Sequence, residues 1–286
     1  MAPSPNNLNI FTLIRFYYPD MTKVEKKIAN SFLEDPAAIA SMSLADTARK
    51  CGCGEASIVR FCRHLGLESF IEARSLLMDQ KDAASTPVRL GNPRTVREIA
   101  DDICSMYVDT LDQTMQLNPI EHFETAVQRI AQAGSLYLFG IGDALVPCIC
   151  GYYRFRRIGL SCFFDADADM QLIHAANIRK GDVVIASSHS GQTRHVIRAV
   201  KAARAAGAFV IGITQSSRSE LTNCCDLLFY NAVADITVGK TIVAHRLAES
   251  TIMEIFYAGV VPLIPDQADR MIASSAEIMR VNKQEV

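Results

Sequence analysis

Residues 183–193 read Val-Val-Ile-Ala-Ser-Ser-His-Ser-Gly-Gln-Thr, and the fold of the C-terminal part of the chain can be predicted from them. The apolar run 183–186 has the composition of a buried strand, and it stops in a hydroxyl-rich loop, 187–193. A helical pattern follows, in which one face carries Val196, Ile197, Val200 and Ala203. A strand, a short polar loop and a helix start together predict an anion site, because the first helical turn has unpartnered N–H groups at a positive dipole end.

The loop itself is rich in groups that suit a phosphate. Ser188, Ser190 and Thr193 are hydroxyl donors, and Gly191 lets backbone approach a ligand closely. The sequence therefore predicts that this loop binds a small phosphorylated ligand. The alternative is that the hydroxyls only cap the helix. His189, between the two serines, is equally suited to bind a ligand hydroxyl or phosphate and to move a proton.

Strands and helices alternate from residue 135 onward, which predicts a parallel sheet with helices on both faces. Ligands of such sheets bind beyond the carboxyl ends of the strands. We expect a long helix to begin near Gly239. The strands are expected at Leu136–Phe139, Ser161–Phe164, Val183–Ala186, Phe209–Ile213 and Leu227–Tyr230. Three strand ends are expected to converge, at residues 140–143, 188–193 and 214–219.

The hexapeptide Ser188-His189-Ser190-Gly191-Gln192-Thr193 resembles the Ser-x-Ser-Gly-x-Thr signature of the SIS (sugar isomerase) domain. Gly140-Ile141-Gly142 resembles the first SIS loop, although Asp143 occupies its usual serine position. A carboxylate costs affinity beside a phosphate, but it suits a sugar hydroxyl or amine. The resemblance implies a flavodoxin-like α/β domain that binds a sugar phosphate through Gly142, Asp143, Ser188, His189, Ser190, Gly191 and Thr193.

The first eighty residues have a different, purely helical pattern. Thr22–Glu25 is a capping box, and Ser43–Asp46 is a second capping signature. The latter opens a helix through Lys50, and residues 51–54 form a turn with two glycines. A third helix, 55–65, ends at a glycine. Helix, glycine-bearing turn and helix are typical of a DNA-binding helix-turn-helix.

The third helix is expected to divide into two faces. Ile58, Cys62 and Leu65 face the core, while Ser57, Arg60, Arg63 and His64 remain for solvent or DNA. Arginines one turn apart suit a phosphate or a guanine edge. The alternative is a small helical bundle whose arginines are merely solvated. Basic and acidic residues balance across residues 1–80, so any DNA-binding face is local.

Residues 44–70 resemble the N-terminal domain of the RpiR family of bacterial transcription regulators, which joins a helix-turn-helix to a SIS domain. The resemblance rests on Leu44-Ala45, on the stretch 58–63, and on Leu65-Gly66-Leu67 with Phe70. It implies a homodimer or homotetramer that binds double-stranded operator DNA and is regulated by a phosphorylated sugar. The predicted DNA contacts are Lys50, Ser57, Arg60 and Arg63. Family members usually start this helix with Ser or Thr, where this chain has Gly54, a weaker cap.

The length of 286 residues predicts two domains, and the composition is that of a globular protein with a net charge of −2. Residues 81–94 lack periodicity and hold two prolines and a glycine, which indicates a linker. We therefore expect a helix-turn-helix domain at 1–80, a linker at 81–94 and a SIS domain at 95–286. No cofactor is expected.

Nine cysteines at irregular spacings, without a secretion signal, predict free thiols in a reducing, cytoplasmic setting. The first residues lack the basic region and apolar core of a signal peptide, and no stretch predicts a membrane span. Cys51, Cys53 and Cys62 fit no common zinc spacing, so buried thiols are expected instead.

An enzyme remains as the alternative to a regulator. A sugar-phosphate isomerase or deaminase needs a general base, and the candidates are His189, His195, His245 and Glu249. A helix-turn-helix has no evident role in such an enzyme. The prediction is therefore a transcription regulator of carbohydrate metabolism without catalytic activity.

Overall fold

The computed structural model describes residues 8–79, 88–90, 95–215, 217–232, 235–238, 241–244 and 246–281. In chain order, its helices are α1 (Ile10–Tyr17), α2 (Lys23–Glu34), α3 (Pro36–Ser41), α4 (Leu44–Cys51), α5 (Glu55–His64), α6 (Phe70–Asp79), α7 (Val96–Leu117), α8 (Ile120–Ala131), α9 (Leu145–Arg157), α10 (Ala168–Ala176), α11 (Arg194–Ala205), α12 (Leu247–Val260) and α13 (Pro265–Val281). Its strands are β1 (Val88–Leu90), β2 (Leu136–Phe139), β3 (Cys162–Phe164), β4 (Val183–Ser187), β5 (Phe209–Thr214), β6 (Leu227–Tyr230), β7 (Asp235–Val238) and β8 (Thr241–Ala244).

The chain divides into two compact units. The first consists of Met1–Leu117 with Gln215–Arg218 and Asn231–His245, and the second consists of the remaining residues. The domain limits expected from the sequence stay predictions. Residues 81–87 and 91–94 of the predicted linker lie outside the described residues.

The second unit is an α/β domain whose sheet has the order β3-β2-β4-β5-β6, with every neighbouring pair parallel. Alternate residues of the strands face opposite sides, as a pleated strand requires. Val183 and Ile185 pack in the cluster formed with α8, α9 and α12, while Val184 and Ala186 pack against α10 and α11. This confirms the predicted parallel sheet with helices on both faces.

The first unit contains the helices α1–α7 and a small sheet of order β1-β7-β8. The predicted capping box at α2 is present, because Thr22 and Glu25 each accept a hydrogen bond from the other's backbone N–H. Phe32 of α2 and Phe61 of α5 are fully buried, and their rings are in tilted contact at a centroid distance of 5.2 Å. Burial of these aromatic rings anchors α5 to α2.

The predicted helix from Gly239 is wrong. The chain forms β7 and β8 as an antiparallel pair instead, and α12 begins only at Leu247. β1, inside the predicted linker, pairs in parallel with β7. The β-branched residues of this segment, Ile-Thr-Val and Thr-Ile-Val, favour strands over helix.

Among the described helices, none is by itself both long and apolar enough to cross a membrane. One pair of helical segments, Leu247–Leu263 and Pro265–Arg280, is long and apolar enough when the two are taken together, but the chain bends sharply between them.

Candidate ligand site and nucleic-acid interface

The polar loop that follows β4 lies at the carboxyl end of the central strand of the parallel sheet. β4 is flanked by β2 and β5, with Ala186 opposite both Phe139 and Gly212. The segments that leave these three strands therefore share one edge of the sheet, as the alternation of strands and helices predicts. The loop contacts one of them directly, since the Thr214 hydroxyl donates to the backbone carbonyl of His189 at 3.1 Å.

The loop hydroxyls are organised by hydrogen bonds within the loop. The buried hydroxyl Ser188 Oγ lies 2.8 Å from Thr193 Oγ1. Ser190 is exposed, and its Oγ accepts from the backbone N–H of Gln192 at 3.2 Å. Thr193 is the N-cap residue of α11, but its side chain makes no capping hydrogen bond. The hydroxyls of Ser188, Ser190 and Thr193 thus bond within the loop instead of capping the helix.

Gly191 fills a position that other residues do not fit. Its φ is +64°, in the left-handed region, and a Cβ there would overlap the side chain of Ser219. Its carbonyl accepts from the backbone N–H of Leu221 at 3.1 Å. The glycine therefore allows the segment that follows β5 to pack directly on the loop.

Gly142 and Asp143 follow β2 at the same edge. Gly142 also has a φ of +64°, but a Cβ there would meet open space. The Asp143 side chain is 75% exposed, and its Oδ2 lies 3.9 Å from Arg246 Nη2. The Asp143 carboxylate is therefore close enough to attract the guanidinium of Arg246, a residue that is distant in sequence.

Arg246 links the predicted residues into one group, and its role was missed from the sequence. Its Nη1 lies 2.8 Å from His189 Nδ1 and donates to Glu249 Oε1 at 3.1 Å. Arg246 is 11% and Glu249 1% exposed, so this is a buried ion pair. We call Asp143, His189, Arg246 and Glu249 the Arg246 cluster. The sequence signal for this role was a charged residue, Arg246, directly before the buried helix α12.

The other candidate bases do not join this cluster. His195 is exposed on the first turn of α11, and His245 lies outside the described residues. Of the residues considered for proton transfer, only His189 and Glu249 are thus brought together in the described chain, at 3.9 Å from Nδ1 to Oε1.

The helix-turn-helix is formed by α4 and α5. Gly52 ends α4 with a φ of +63°, and the Cys53 N–H donates back to the Ala48 carbonyl at 3.0 Å. Gly54 is the N-cap of α5 and offers no side-chain hydrogen bond, as expected for a weaker cap. Backbone hydrogen bonds thus hold the turn between the helices.

α5 has the two predicted faces. Ile58, Cys62 and Leu65 are fully buried, and burial raises the pKa of the Cys62 thiol to about 12. Arg60 and Arg63 are exposed, and an Arg60 N–H donates to Ser57 Oγ at 3.3 Å. These side chains form a polar surface along one side of the helix.

Two side chains expected on this surface are engaged elsewhere. Lys50 Nζ lies 2.5 Å from Asp35 Oδ2, and this contact lowers the pKa of the Asp35 carboxyl. His64 is half-buried, and its Nδ1 lies 3.1 Å from Glu25 Oε1. His64 was expected to be free for solvent or DNA, and that expectation is wrong because the Glu25 carboxylate on α2 binds it.

The cysteines do not form a metal site in the described residues, where no group of three or more His, Cys, Asp or Glu side chains is close enough to hold an ion. All nine cysteines are free thiols. Cys51 and Cys62 are buried in the helical core, in keeping with the buried-thiol expectation.

Comparisons with known families identify both halves of the chain. Residues 8–84 match the helix-turn-helix domain of the rpiR family, and residues 129–257 match the SIS domain. The Escherichia coli K12 HTH-type transcriptional regulator RpiR is 25% identical over 267 residues, covering 93% of this chain and 90% of that protein. An HTH-type transcriptional regulator of Caldanaerobacter subterraneus is 26% identical over 277 residues, covering 96% and 98%.

Solved structures with the same fold include two similar proteins. The Vibrio vulnificus NanR protein complexed with ManNAc-6P is 22% identical, with a TM-score of 0.60 over 97% of this chain and 100% of that one. The sugar isomerase domain of an RpiR transcription factor from Sphaerobacter thermophilus is 19% identical, with a TM-score of 0.57 over 63% and 99%. At these identities the likeness establishes the fold.

Proposed function

The chain belongs to the RpiR family of transcription regulators, with an N-terminal helix-turn-helix and a C-terminal SIS domain, and we propose that it is an operator-binding protein whose SIS domain senses a phosphorylated sugar. The observation that carries the proposal is the loop 188–193. Its serine and threonine hydroxyls and the start of α11 meet at the carboxyl end of β4.

The phosphate of the effector binds this loop. The exposed Ser190 hydroxyl and the first-turn N–H groups of α11 are donors, and the dipole of the twelve-residue helix favours an anion at its start. Ser188 and Thr193 hold the loop in shape through their mutual hydrogen bond. The NanR protein complexed with ManNAc-6P supports the proposal of a phosphosugar effector.

The DNA-binding surface is the exposed side of α5. Arg60 and Arg63 are one helical turn apart and suit phosphates or guanine edges in the major groove, and Ser57 adds a hydroxyl. Lys50 can contact DNA together with these residues only if its ion pair with Asp35 is broken. A twofold operator would take two copies of the chain, so the active form is a homodimer or a dimer of dimers.

Regulation requires that the effector bind one arrangement of the DNA-binding units more tightly than another. The domain limits proposed from the sequence, 1–80, 81–94 and 95–286, give that coupling a route through residues 81–94. A cytoplasmic location follows from the function. We propose no isomerase activity, since the relatives that span nearly the whole chain are named transcriptional regulators.

A pair of single substitutions tests the two-site proposal. The operator is first found by selection from random duplex DNA, and a thermal-shift screen identifies the phosphosugar that raises the melting temperature. Arg60→Ala is expected to abolish specific DNA binding in fluorescence anisotropy and to keep the thermal shift. Ser190→Ala is expected to lose the shift and to keep DNA binding.

Arg97→Ala serves as the control, because Arg97 is an exposed arginine on α7 that pairs with Asp101 one helical turn away. It should leave both measurements unchanged. Equal damage to DNA binding and effector binding by each of the two test variants would contradict two separate sites.

A further inference from the structure

Only one of the two oxygens of the Glu249 carboxylate has a hydrogen-bond partner among the described residues. Its Oε1 accepts from Arg246 at 3.1 Å, while Oε2 is buried and has no hydrogen-bond partner among the described residues. Arg246 Nε is likewise buried and unpaired there. Buried charged groups are normally fully hydrogen-bonded, so an open acceptor on a carboxylate that is 1% exposed points to a missing donor.

His189 adds no positive charge to this cluster. An arginine side chain has only donors, so the 2.8 Å contact from Arg246 Nη1 requires His189 Nδ1 to accept. A ring that accepts at Nδ1 is neutral and carries its proton on Nε2. The contact therefore fixes the tautomer of the histidine that lies between the two loop serines.

The Arg246 cluster then carries one excess negative charge. Two carboxylates, Glu249 at 3.1 Å and Asp143 at 3.9 Å, share the single guanidinium of Arg246, and His189 is neutral. Such an excess is unfavourable beside the phosphate of a ligand that is only anionic. A ligand that also carries a cation would relieve it, and an ammonium group brings three donors for the open carboxylate oxygens.

From this charge and donor balance we infer that the effector is a phosphorylated amino sugar whose amine is free rather than acylated. The inference rests on the proposed function, since it names the chemical class of the sugar phosphate that the loop 188–193 would bind. Phosphate and ammonium at the two ends of one small molecule would match the two oppositely charged parts of the site.

Matched ligand series test the inference on the full-length protein. Isothermal titration calorimetry compares an amino sugar 6-phosphate with its N-acetyl and its hydroxyl counterpart, in the glucose, mannose and galactose series. In at least one series the amine is expected to bind about tenfold tighter than both counterparts, the effect of one charge-assisted hydrogen bond. The inference is overturned if the amine has no such advantage in any series.

Two variants test whether the carboxylates of Asp143 and Glu249 cause the preference for the amine. Asp143→Asn removes a charge at an exposed position, and we expect it to lower the affinity ratio of amine to hydroxyl about fivefold. Glu249→Gln is expected to lower the ratio further, provided that circular dichroism shows the native fold. Asp269→Asn, at an exposed position on α13, removes the same charge elsewhere and should leave the ratio unchanged. An undiminished ratio in every folded cluster variant overturns the assignment.

The same titrations separate this inference from the proposed function. If phosphosugars bind, and Ser190→Ala weakens them, but no amine is preferred, the inference fails and the sensor proposal stands. If none of the nine compounds binds, both fail.

Discussion

Helix α5 and the loop 188–193 differ in how their proposed functional residues relate to the residues that stabilise the fold. On α5, the residues that hold the helix in place and those proposed to contact DNA lie on different faces: Ile58 and Cys62 are fully buried, and Arg60 and Arg63 are exposed. In the loop, Ser188 both shapes the backbone and belongs to the proposed ligand site, since its buried hydroxyl pairs with Thr193.

This difference follows from what each region must do. A DNA-binding helix presents side chains to an external surface, so one helical face suffices and the other is left for packing. A small-ligand site surrounds its guest with preorganised donors, so its atoms must also be packed and hydrogen-bonded to the protein. Substitutions should therefore separate stability from function on α5, and at the buried positions of the loop they should change both together.

The largest effect is expected on the buried face of α5. Ile58→Ala should lower the free energy of unfolding by about 2–5 kcal/mol, because it leaves a cavity in the helical core. Arg60→Ala, two residues away, should change it by less than about 0.5 kcal/mol while DNA binding is lost. Urea unfolding followed by far-UV circular dichroism measures both. A large stability loss in Arg60→Ala would refute the separation of faces.

In the loop, Gly191→Ala should cost about 2–4 kcal/mol and also remove effector binding, because a left-handed alanine is strained and its Cβ overlaps Ser219. Gly142→Ala is a matched control with the same φ of +64° and open space around its Cβ. It should cost only about 1–2 kcal/mol. Similar losses at the two glycines would mean that the packing of Ser219 on the loop is unimportant.

The contrast between the two regions also explains what the sequence could predict. The helix-turn-helix and the loop are contiguous segments, so their capping residues, glycines and hydroxyls identify them by local pattern alone. The helix predicted from Gly239 fails because the β-branched run there forms β8, which pairs with β7, and β7 in turn pairs with β1, a partner distant in sequence. Arg246 was missed for the same reason, since its contact with His189 spans 57 positions and leaves no periodic signal.

Within the loop, neighbouring serines should differ. Ser188→Ala removes a buried hydroxyl and leaves Thr193 Oγ1 without this partner, which should cost about 1–3 kcal/mol. Ser190→Ala, at an exposed position, should change stability by less than about 0.5 kcal/mol. Both variants should weaken phosphosugar binding in calorimetry. If Ser188→Ala were as stable as the wild type, the Ser188–Thr193 hydrogen bond would not shape the site.

The smallest effect concerns the contact between α5 and α2. Burial acts to raise the pKa of Glu25, but hydrogen bonds from Thr22 and His64 bring it below its ordinary value of 4.5. A carboxyl with a lowered pKa stabilises the fold fully above its unfolded pKa, and this contribution is lost as the pH falls through the folded pKa.

Glu25→Gln keeps the hydrogen-bonding shape of the capping box and removes the charge. It should cost about 0.5–1 kcal/mol at pH 7. This difference from the wild type should shrink as the pH falls below 4.5, the ordinary pKa of the carboxyl in the unfolded chain, and through the lower pKa of the folded state. Urea midpoints at both pH values measure it. Glu98→Gln repeats the change in the capping box of α7. A pH-independent difference at Glu25 would show that the charge does not hold α5 against α2, and that the buried face of α5 alone anchors this helix.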